Sequence, residues 1–211
     1  MDPAERMAAF FPLAWRRRAL SLGGTVHEAD GLVVTLTGVA FAPFNATMVQ
    51  RPPVDPDAAL AAAREIHGRT GLAFGLDLDP VLHAPVRDAA DRAGLSVIEA
   101  RPGMVAATAG VLMPAMPPGV AIEWVTDRAG LDAVADVDHA SFGGDRSLIR
   151  AFVGDGTLSD PAQRAYVATL DGRPVACAET ACLDGTLGVF GVATVPEARR
   201  RGIGAAITAW G

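Results

Sequence analysis

Residues 187–210 read LGVFGVATVPEARRRGIGAAITAW, and this stretch decides the fold. Its first nine residues are nearly all apolar, which is typical of a strand buried on both faces of a sheet. Pro196 ends that strand, and Gly202 and Gly204 open a helix. A helix N-terminus exposes unpaired N–H groups with positive partial charge, and glycine lets an anion reach the backbone without meeting a Cβ. The stretch therefore predicts a strand, a tight loop and a helix whose N-terminus binds a phosphate group.

The distribution of charge favours the same interpretation. The chain has 211 residues and a net charge of −6, and all 18 of its basic residues are arginine. Three of them, Arg199, Arg200 and Arg201, stand together immediately before Gly202. An acidic chain is poorly suited to a broad nucleic-acid surface, so no nucleic acid is expected as a partner. The absence of lysine also excludes Schiff-base chemistry.

The arrangement Arg199-x-x-Gly202-x-Gly204 resembles the Gln/Arg-x-x-Gly-x-Gly/Ala phosphate-binding signature of the GNAT superfamily of acetyl-CoA-dependent N-acyltransferases. The resemblance implies an α/β fold with a mixed sheet, acetyl-CoA (coenzyme A) as cofactor, and an amine of a small molecule or peptide as acceptor. It also implies that backbone groups bind the cofactor, with the strand end pairing with the pantetheine arm and the loop holding the pyrophosphate. The cofactor-binding residues implied in this way are Val192, Ala193, Thr194, Val195, Arg199, Arg200, Arg201, Gly202, Ile203, Gly204 and Ala205.

The chain is expected to divide at residues 114–119, PAMPPG, a linker with three prolines and a glycine. Residues 120–211 resemble the N-terminal part of an acetyl-CoA-binding GNAT domain, and the chain ends inside the signature helix, which implies an incomplete copy. The elements predicted there are strand 120–126, helices 127–139 and 146–153, and a hairpin of strands 165–171 and 174–182.

Residues 1–115 are expected to form a degenerate GNAT-like copy. Their order of elements resembles the later half of the same fold. The turn that corresponds to the phosphate loop is Val54-Asp55-Pro56-Asp57, where two carboxylates would repel a pyrophosphate. The elements predicted are helix 3–20, strand 32–41, a strand within 44–50, helix 58–69, strand 72–78, helix 80–94, and strands 95–100 and 103–108.

Acyl transfer to an amine requires a base that takes a proton from nitrogen. The candidate is Glu179, on the second hairpin strand next to the predicted cofactor strand, and the alternative is a glutamate that faces solvent. His139 and Phe142 lie near a loop that shapes the acceptor site in the family. Their alternatives are a chemically inert helix end and a core aromatic. Tyr166, the only tyrosine, does not map to the tyrosine that protonates the leaving thiolate in the family.

Other chemistries have less support in the sequence. The histidines lack metal-ligand spacing, so no metal is expected. Cys177 and Cys182 are predicted to be small buried residues and not a disulfide, a usage that fits a reducing cytoplasm. Cys177 would need a partner base to act as a nucleophile, and its spacing shows none. No apolar run reaches the roughly 18 residues of a membrane span, and the N-terminus lacks the features of a signal peptide.

The function predicted from the sequence is transfer of an acyl group, acetyl by resemblance, from coenzyme A to an amine. Two other classes stay open. One is a non-catalytic acyl-CoA-binding or regulatory module. The other is an interaction protein whose strand at 187–195 pairs at its edge with a partner or with a second copy, which would give a homo-oligomer.

Overall fold

The computed structural model describes residues 2–211 and divides the chain into two compact units, Met1–Ala106 and Ala107–Gly211. Each unit contains one four-stranded sheet with helices packed on it, which confirms the predicted α/β class. Within the described residues, no helix combines the length and the apolar character needed to cross a membrane.

The N-terminal unit begins with helix α1, Pro3–Ser21, whose capping box joins Asp2 and Glu5. Strands β1, β2 and β3 are antiparallel, whereas β3 and β4 are parallel, with helix α2 between them in the chain. Apolar side chains of the sheet pack against those of α2 to form the core of this unit. The elements after α1 are β1 Thr25–Ala29, β2 Leu32–Leu36, β3 Ala46–Val49, α2 Pro56–Gly68, β4 Gly75–Asp77 and α3 Ala84–Arg92.

The predicted strand 32–41 is wrong in its second half, and a buried asparagine is the reason. Asn45 Oδ1 accepts hydrogen bonds from the backbone N–H groups of Thr37 and Gly38, at 3.0 and 3.3 Å. Its Nδ2 donates to the carbonyl oxygen of Val39 at 2.7 Å. These bonds use the backbone groups that a longer strand would offer to its neighbour. The hairpin strand β1 was not predicted, because its sequence TVHEA is largely polar.

The predicted strands 95–100 and 103–108 are also wrong. The described residues between α3 and residue 120 form no strand. Val97 and Met104 are 84% and 91% exposed there. Their β-branched and apolar neighbours favour extended backbone, but a strand is stable only when an adjacent strand bonds its N–H and C=O groups. The N-terminal unit therefore lacks the last two of the strands on which its resemblance to the later half of a GNAT domain was based.

The C-terminal unit has an antiparallel sheet in the order β5-β6-β7-β8. Helix α4 begins at the side-chain cap Asp127, and the β6–β7 hairpin turns at Asp171 and Gly172, both with positive φ. The elements are β5 Val120–Trp124, α4 Arg128–Phe142, α5 Arg146–Val153, β6 Gln163–Leu170, β7 Arg173–Leu183, β8 Thr186–Thr194 and α6 Ile203–Trp210. The predictions of α5 and of the hairpin are confirmed.

Strand β8 lies at the edge of this sheet, which corrects the prediction of a strand buried on both faces. It pairs with β7 alone within the described residues, and Ala193 is its only buried residue there. Its apolar sequence therefore reflects an edge strand that is half covered by helices. Cys182 is exposed near the end of β7, contrary to the prediction, whereas Cys177 is buried and both thiols are free.

Candidate functional site

The loop after β8 turns the chain sharply into helix α6. Pro196–Ala198 form one turn of 3₁₀ helix, and Arg200 and Gly202 then adopt left-handed backbone with φ of 61° and 79°. The first backbone bond of α6 runs from the N–H of Ala206 to the carbonyl of Gly202. The N–H groups of residues 203–205 precede that bond, so they point out of the helix end and are available to an acceptor.

The N-terminus of α6 lacks the side-chain cap that four of the other five α-helices have. Helices α1, α2, α4 and α5 each begin with an aspartate whose carboxylate accepts a backbone N–H: Asp2, Asp55, Asp127 and Asp145. Helix α6 has Gly202 as its N-cap residue, with no side-chain cap and no acidic residue in its first turn. An aspartate cap would repel an anion, whereas an uncapped N-terminus attracts one through its N–H groups and the helix dipole. Helix α3 is the other α-helix without a side-chain cap, at His83.

Arg199 holds the loop in place with its side chain. Its Nε donates to the carbonyl oxygen of Thr194 at 2.9 Å, and its Nη2 donates to the carbonyl oxygen of Ser141 at 2.9 Å. The guanidinium therefore ties the end of β8 to the end of α4. The next two arginines, Arg200 and Arg201, are exposed beside the start of α6 and add positive charge there.

A β-bulge interrupts the pairing of β7 with β8 at Gly191 and Val192, where the predicted pantetheine-binding residues begin. Cys177 pairs with Ala193 and Glu179 pairs with Phe190. Two residues of β8, at positions 191 and 192, therefore lie opposite one residue of β7, at position 178. Gly191 lies at the bulge with a φ of 56°, which is a left-handed conformation that favours glycine. A bulge bends its strand and leaves backbone groups outside the regular ladder. The Sγ of Cys177 donates to the carbonyl oxygen of Gly191 at 3.6 Å.

Glu179 is buried next to this bulge, with 8% of its surface exposed. Its Oε1 lies 3.6 Å from the position that a Cβ on Gly191 would take. The alternative of a solvent-facing glutamate is therefore wrong. The sheet alternates, so Glu179 and its partner Ala165 face one side, whereas Tyr166 and its partner Ala178 face the other.

A second carboxyl group, which sequence reasoning did not single out, accompanies Glu179. Asp138 lies on α4, the helix that packs on β7 and β8. Burial raises the pKa of Asp138, and the nearby charge of Glu179 raises it further. The sequence does contain a sign of this residue. The helical period places Asp138, a carboxylate, on the same face of α4 as the buried Leu131 and Val134.

The Cys177 thiol is not a nucleophile in this environment. Burial raises its pKa, and the charges of Asp138 and Glu179 raise it further. The reactive form of cysteine is the thiolate, and a raised pKa keeps the proton on sulfur. Cys177 therefore packs against the bulge as a neutral thiol.

The candidate acceptor-site residues lie at the end of α4. His139 is exposed, and its Nδ1 is 2.8 Å from the carbonyl oxygen of Gly144. That contact favours a proton on Nδ1 and leaves Nε2 as an acceptor. Phe142 is 67% exposed, so the alternative of a core aromatic is wrong. Tyr166 is buried against Gly211 on the other face of the sheet from Glu179.

Comparison with known proteins identifies the class of fold. No family model matches the chain, and no curated protein matches it. Among solved structures, a GCN5-related N-acetyltransferase from Kribbella flavida is similar with a TM-score of 0.76 and 22% identity, over 100% of this chain and 79% of that one. A functionally unknown conserved protein from Staphylococcus epidermidis has a TM-score of 0.60 and 15% identity, over 90% of this chain and 79% of that one. The chain thus has the fold of the GCN5-related N-acetyltransferases, as the sequence resemblance predicted.

Proposed function

We propose that this chain binds acetyl-CoA along β8 and the start of α6 and transfers the acetyl group to an amine. One observation carries the proposal. An uncapped, arginine-flanked helix N-terminus follows directly on an edge strand, and a buried carboxylate lies beside the bulge of that strand. Each part fits one portion of the cofactor or of the reaction.

The start of α6 fits the pyrophosphate. The N–H groups of residues 203–205 are free of intrahelical partners, and no carboxylate caps them. Gly204 leaves room for the phosphate groups between β8 and α6. A Cβ at this position would lie in that space, 3.4 Å from Thr194 Oγ1. Arg200 and Arg201 add charge, while Arg199 fixes the loop. Two phosphate groups are expected to bind mainly through backbone N–H groups at this end.

The free edge of β8 fits the pantetheine arm. Residues 192–195 begin within the bulge and continue to the end of β8, and the outer edge of β8 has no strand partner within the described residues. An exposed strand edge pairs readily with an extended chain that carries amide groups. Pantetheine has two amides in an extended arm, so its pairing with residues 192–195 would bring its sulfur end towards the bulge at Gly191.

The side chains at the bulge would handle the acceptor's proton. Bound acetyl-CoA supplies an acyl group activated as a thioester. Glu179 is placed to take a proton from the acceptor ammonium, which frees the nitrogen lone pair to attack the carbonyl carbon. The C–N bond forms, the C–S bond breaks, and the second nitrogen proton passes to the leaving sulfur. Backbone N–H groups released by the bulge are suited to stabilise the negative charge that develops on the carbonyl oxygen.

The proposal is tested by thiol release from acetyl-CoA with a panel of amines: a polyamine, an amino sugar and a peptide with a free N-terminus. Glu179→Gln removes the base without changing its volume. We expect it to lower kcat by about 100-fold or more. Glu123→Gln is the matched control, because Glu123 is exposed on β5 of the same sheet, and it is expected to keep wild-type activity. Equal activity of the wild type and Glu179→Gln would contradict the assignment.

Pairing between copies at the free edge of β8 is a second candidate function. The exposed edge and Leu187, which is 43% exposed, favour it. In that case mass would rise with protein concentration in sedimentation experiments, and acetyl-CoA would dissociate the dimers by covering the same edge.

The free thiols of Cys177 and Cys182 fit a reducing compartment such as the cytoplasm.

A further inference from the structure

We propose that Arg199 couples the cofactor site to the end of α4, so that coenzyme A bound at the start of α6 also fixes the region that holds the candidate acceptor-site residues. The inference rests on the proposed function and deepens it, because it makes Arg199 a positioning residue for the acceptor. It starts from one guanidinium group that donates hydrogen bonds to two elements. Its Nε bonds the carbonyl oxygen of Thr194 at the end of β8, and its Nη2 bonds the carbonyl oxygen of Ser141 on α4, both at 2.9 Å.

The loop of residues 195–202 depends on this side chain for its position. Its own backbone forms one turn of 3₁₀ helix, with bonds of 3.0 and 3.3 Å from the N–H groups of residues 198 and 199. Among the described residues, Arg199 supplies all of the side-chain hydrogen bonds that this loop makes. The N–H groups of residues 203–205, which are proposed to hold the pyrophosphate, follow directly after the loop. A pyrophosphate bound there therefore restricts the loop, and Arg199 with it.

The other end of the bridge is the last turn of α4. Ser141 precedes the final residue of that helix, so its carbonyl is one of the four at the C-terminus that lack an intrahelical partner. A cation at this end of a helix is also favoured by the helix dipole. The Oγ of Ser141 is buried and has no hydrogen-bond partner among the described residues, so the carbonyl is the polar group that holds this residue. The guanidinium thus caps α4 from a distant loop.

Residues 139–145, the end of α4 and the turn into α5, form a compact corner that is held at this carbonyl. Gly143 and Gly144 have φ of 79° and 82°, and the N–H of Gly143 bonds the carbonyl of His139 at 2.8 Å. The carbonyl of Ser141 belongs to the planar peptide that joins it to Phe142. Fixing this oxygen therefore fixes the plane from which the exposed ring of Phe142 projects.

Coupling between the two regions follows because they share one side chain. Coenzyme A favours the arrangement in which the loop is held and the guanidinium bonds both carbonyls. Phe142 is then already oriented, so less conformational freedom is lost when an acceptor binds. Binding of either ligand strengthens binding of the other by the same factor. The factor is expected to be about tenfold, on the scale of one hydrogen bond from a charged donor.

Arg199→Gln tests the bridge because it removes only one of its two ends. The glutamine Nε2 stands as many bonds from Cα as the arginine Nε, so it keeps a donor for the carbonyl of Thr194. No atom of glutamine replaces Nη2, so the bond to Ser141 is lost. The matched control is Arg201→Gln, which removes the same charge from an exposed side chain that takes no part in the bridge.

The first measurement is a ¹⁵N NMR titration of the full chain with coenzyme A and no acceptor. In the wild type and in Arg201→Gln, the amides of residues 203–205 and of residues 139–145 should shift and saturate together. In Arg199→Gln, the amides of residues 203–205 should still shift, whereas those of residues 139–145 should not. Saturation at residues 203–205 without a shift at residues 139–145 in the wild type would overturn the coupling alone. So would shifts at residues 139–145 that persist in Arg199→Gln. No saturable shift at residues 203–205 would refute the cofactor site, and the coupling with it.

The second measurement is steady-state thiol release with the most active amine of the panel. In Arg199→Gln the KM of the acceptor should rise by about tenfold, while kcat stays within about threefold because Glu179 is untouched. In Arg201→Gln the KM of the acceptor should stay within about twofold of the wild-type value. An unchanged acceptor KM in Arg199→Gln would overturn the inference. A wild type that releases no thiol would refute acetyl transfer, and the NMR titration would still decide whether the coupling exists.

Discussion

Gly204→Glu is expected to raise stability and abolish cofactor binding, two effects of opposite sign from one side chain. Gly204 is the second residue of α6, and its φ lies outside the left-handed region. A Cβ there meets Thr194 Oγ1 at 3.4 Å, so the side chain fits with a small adjustment. Glutamate is a better helix former than glycine, and an acid near a helix N-terminus is favourable. Together these raise the free energy of unfolding by about 1 kcal/mol.

The same carboxylate would stand where the pyrophosphate is proposed to bind. Two unit charges about 4 Å apart repel by roughly 4 kcal/mol at an effective dielectric constant near 20, and exposure to salt reduces this to about 2 kcal/mol. The Kd for acetyl-CoA should therefore rise by at least about 30-fold. Isothermal titration calorimetry gives the Kd, and urea unfolding gives the stability.

The matched control is Gly68→Glu, which adds the same charge at the end of α2 in the N-terminal unit. A Cβ on Gly68 meets no atom within 4 Å, so the substitution is accommodated without strain. Its Kd should equal that of the wild type. Wild-type affinity in Gly204→Glu would refute binding at the α6 N-terminus. An equal loss of affinity in both variants would show a general charge effect and refute the reasoning as well.

Three further predictions follow from the burial and backbone conformation of single residues. His67 is 1% exposed, and burial lowers its pKa to about 4. As pH falls, the imidazole of His67 is therefore protonated in the unfolded chain before it is protonated in the folded chain. The free energy of unfolding should then fall by about 3 kcal/mol as pH drops from 6.5 to 4. In His67→Leu, urea unfolding should no longer show this loss. Gly191→Ala forces alanine to a φ of 56° beside Glu179, so it should lower the free energy of unfolding by about 1–2 kcal/mol and abolish acetyl transfer. An unchanged melting temperature would refute the bulge geometry. Cys177→Ala should keep kcat within about threefold, because its neutral thiol is not a nucleophile, and a loss above about 100-fold in thiol release would contradict this.

Local signals predicted the elements whose ends are set by their own side chains. Asp55 and Asp127 cap α2 and α4, two helices that the sequence predicted, and the left-handed pair Asp171–Gly172 turns the predicted hairpin. The spacing Arg199-x-x-Gly202 led to the correct fold because its glycine must adopt a positive φ where α6 begins. In each case a residue type satisfies a local requirement of the backbone.

The failures occurred where a distant partner decides the structure. The second half of strand 32–41 is lost because Asn45 takes its backbone groups, and the apolar residues at 95–108 find no strand to pair with. The edge position of β8 depends on the order of strands in the sheet. Asp138 lies near Glu179 because α4 packs on β7 and β8, so its placement is a property of packing and not of a motif.

The central claim is that backbone N–H groups at the start of α6 bind the pyrophosphate of acetyl-CoA. The most direct measurement is a ¹⁵N NMR titration of the 211-residue chain with coenzyme A. The account predicts saturable shifts of the amides of Ile203, Gly204 and Ala205, together with those of residues 192–195 on β8. Saturation with shifts confined to other parts of the chain, or no saturable shift up to millimolar coenzyme A, would contradict it.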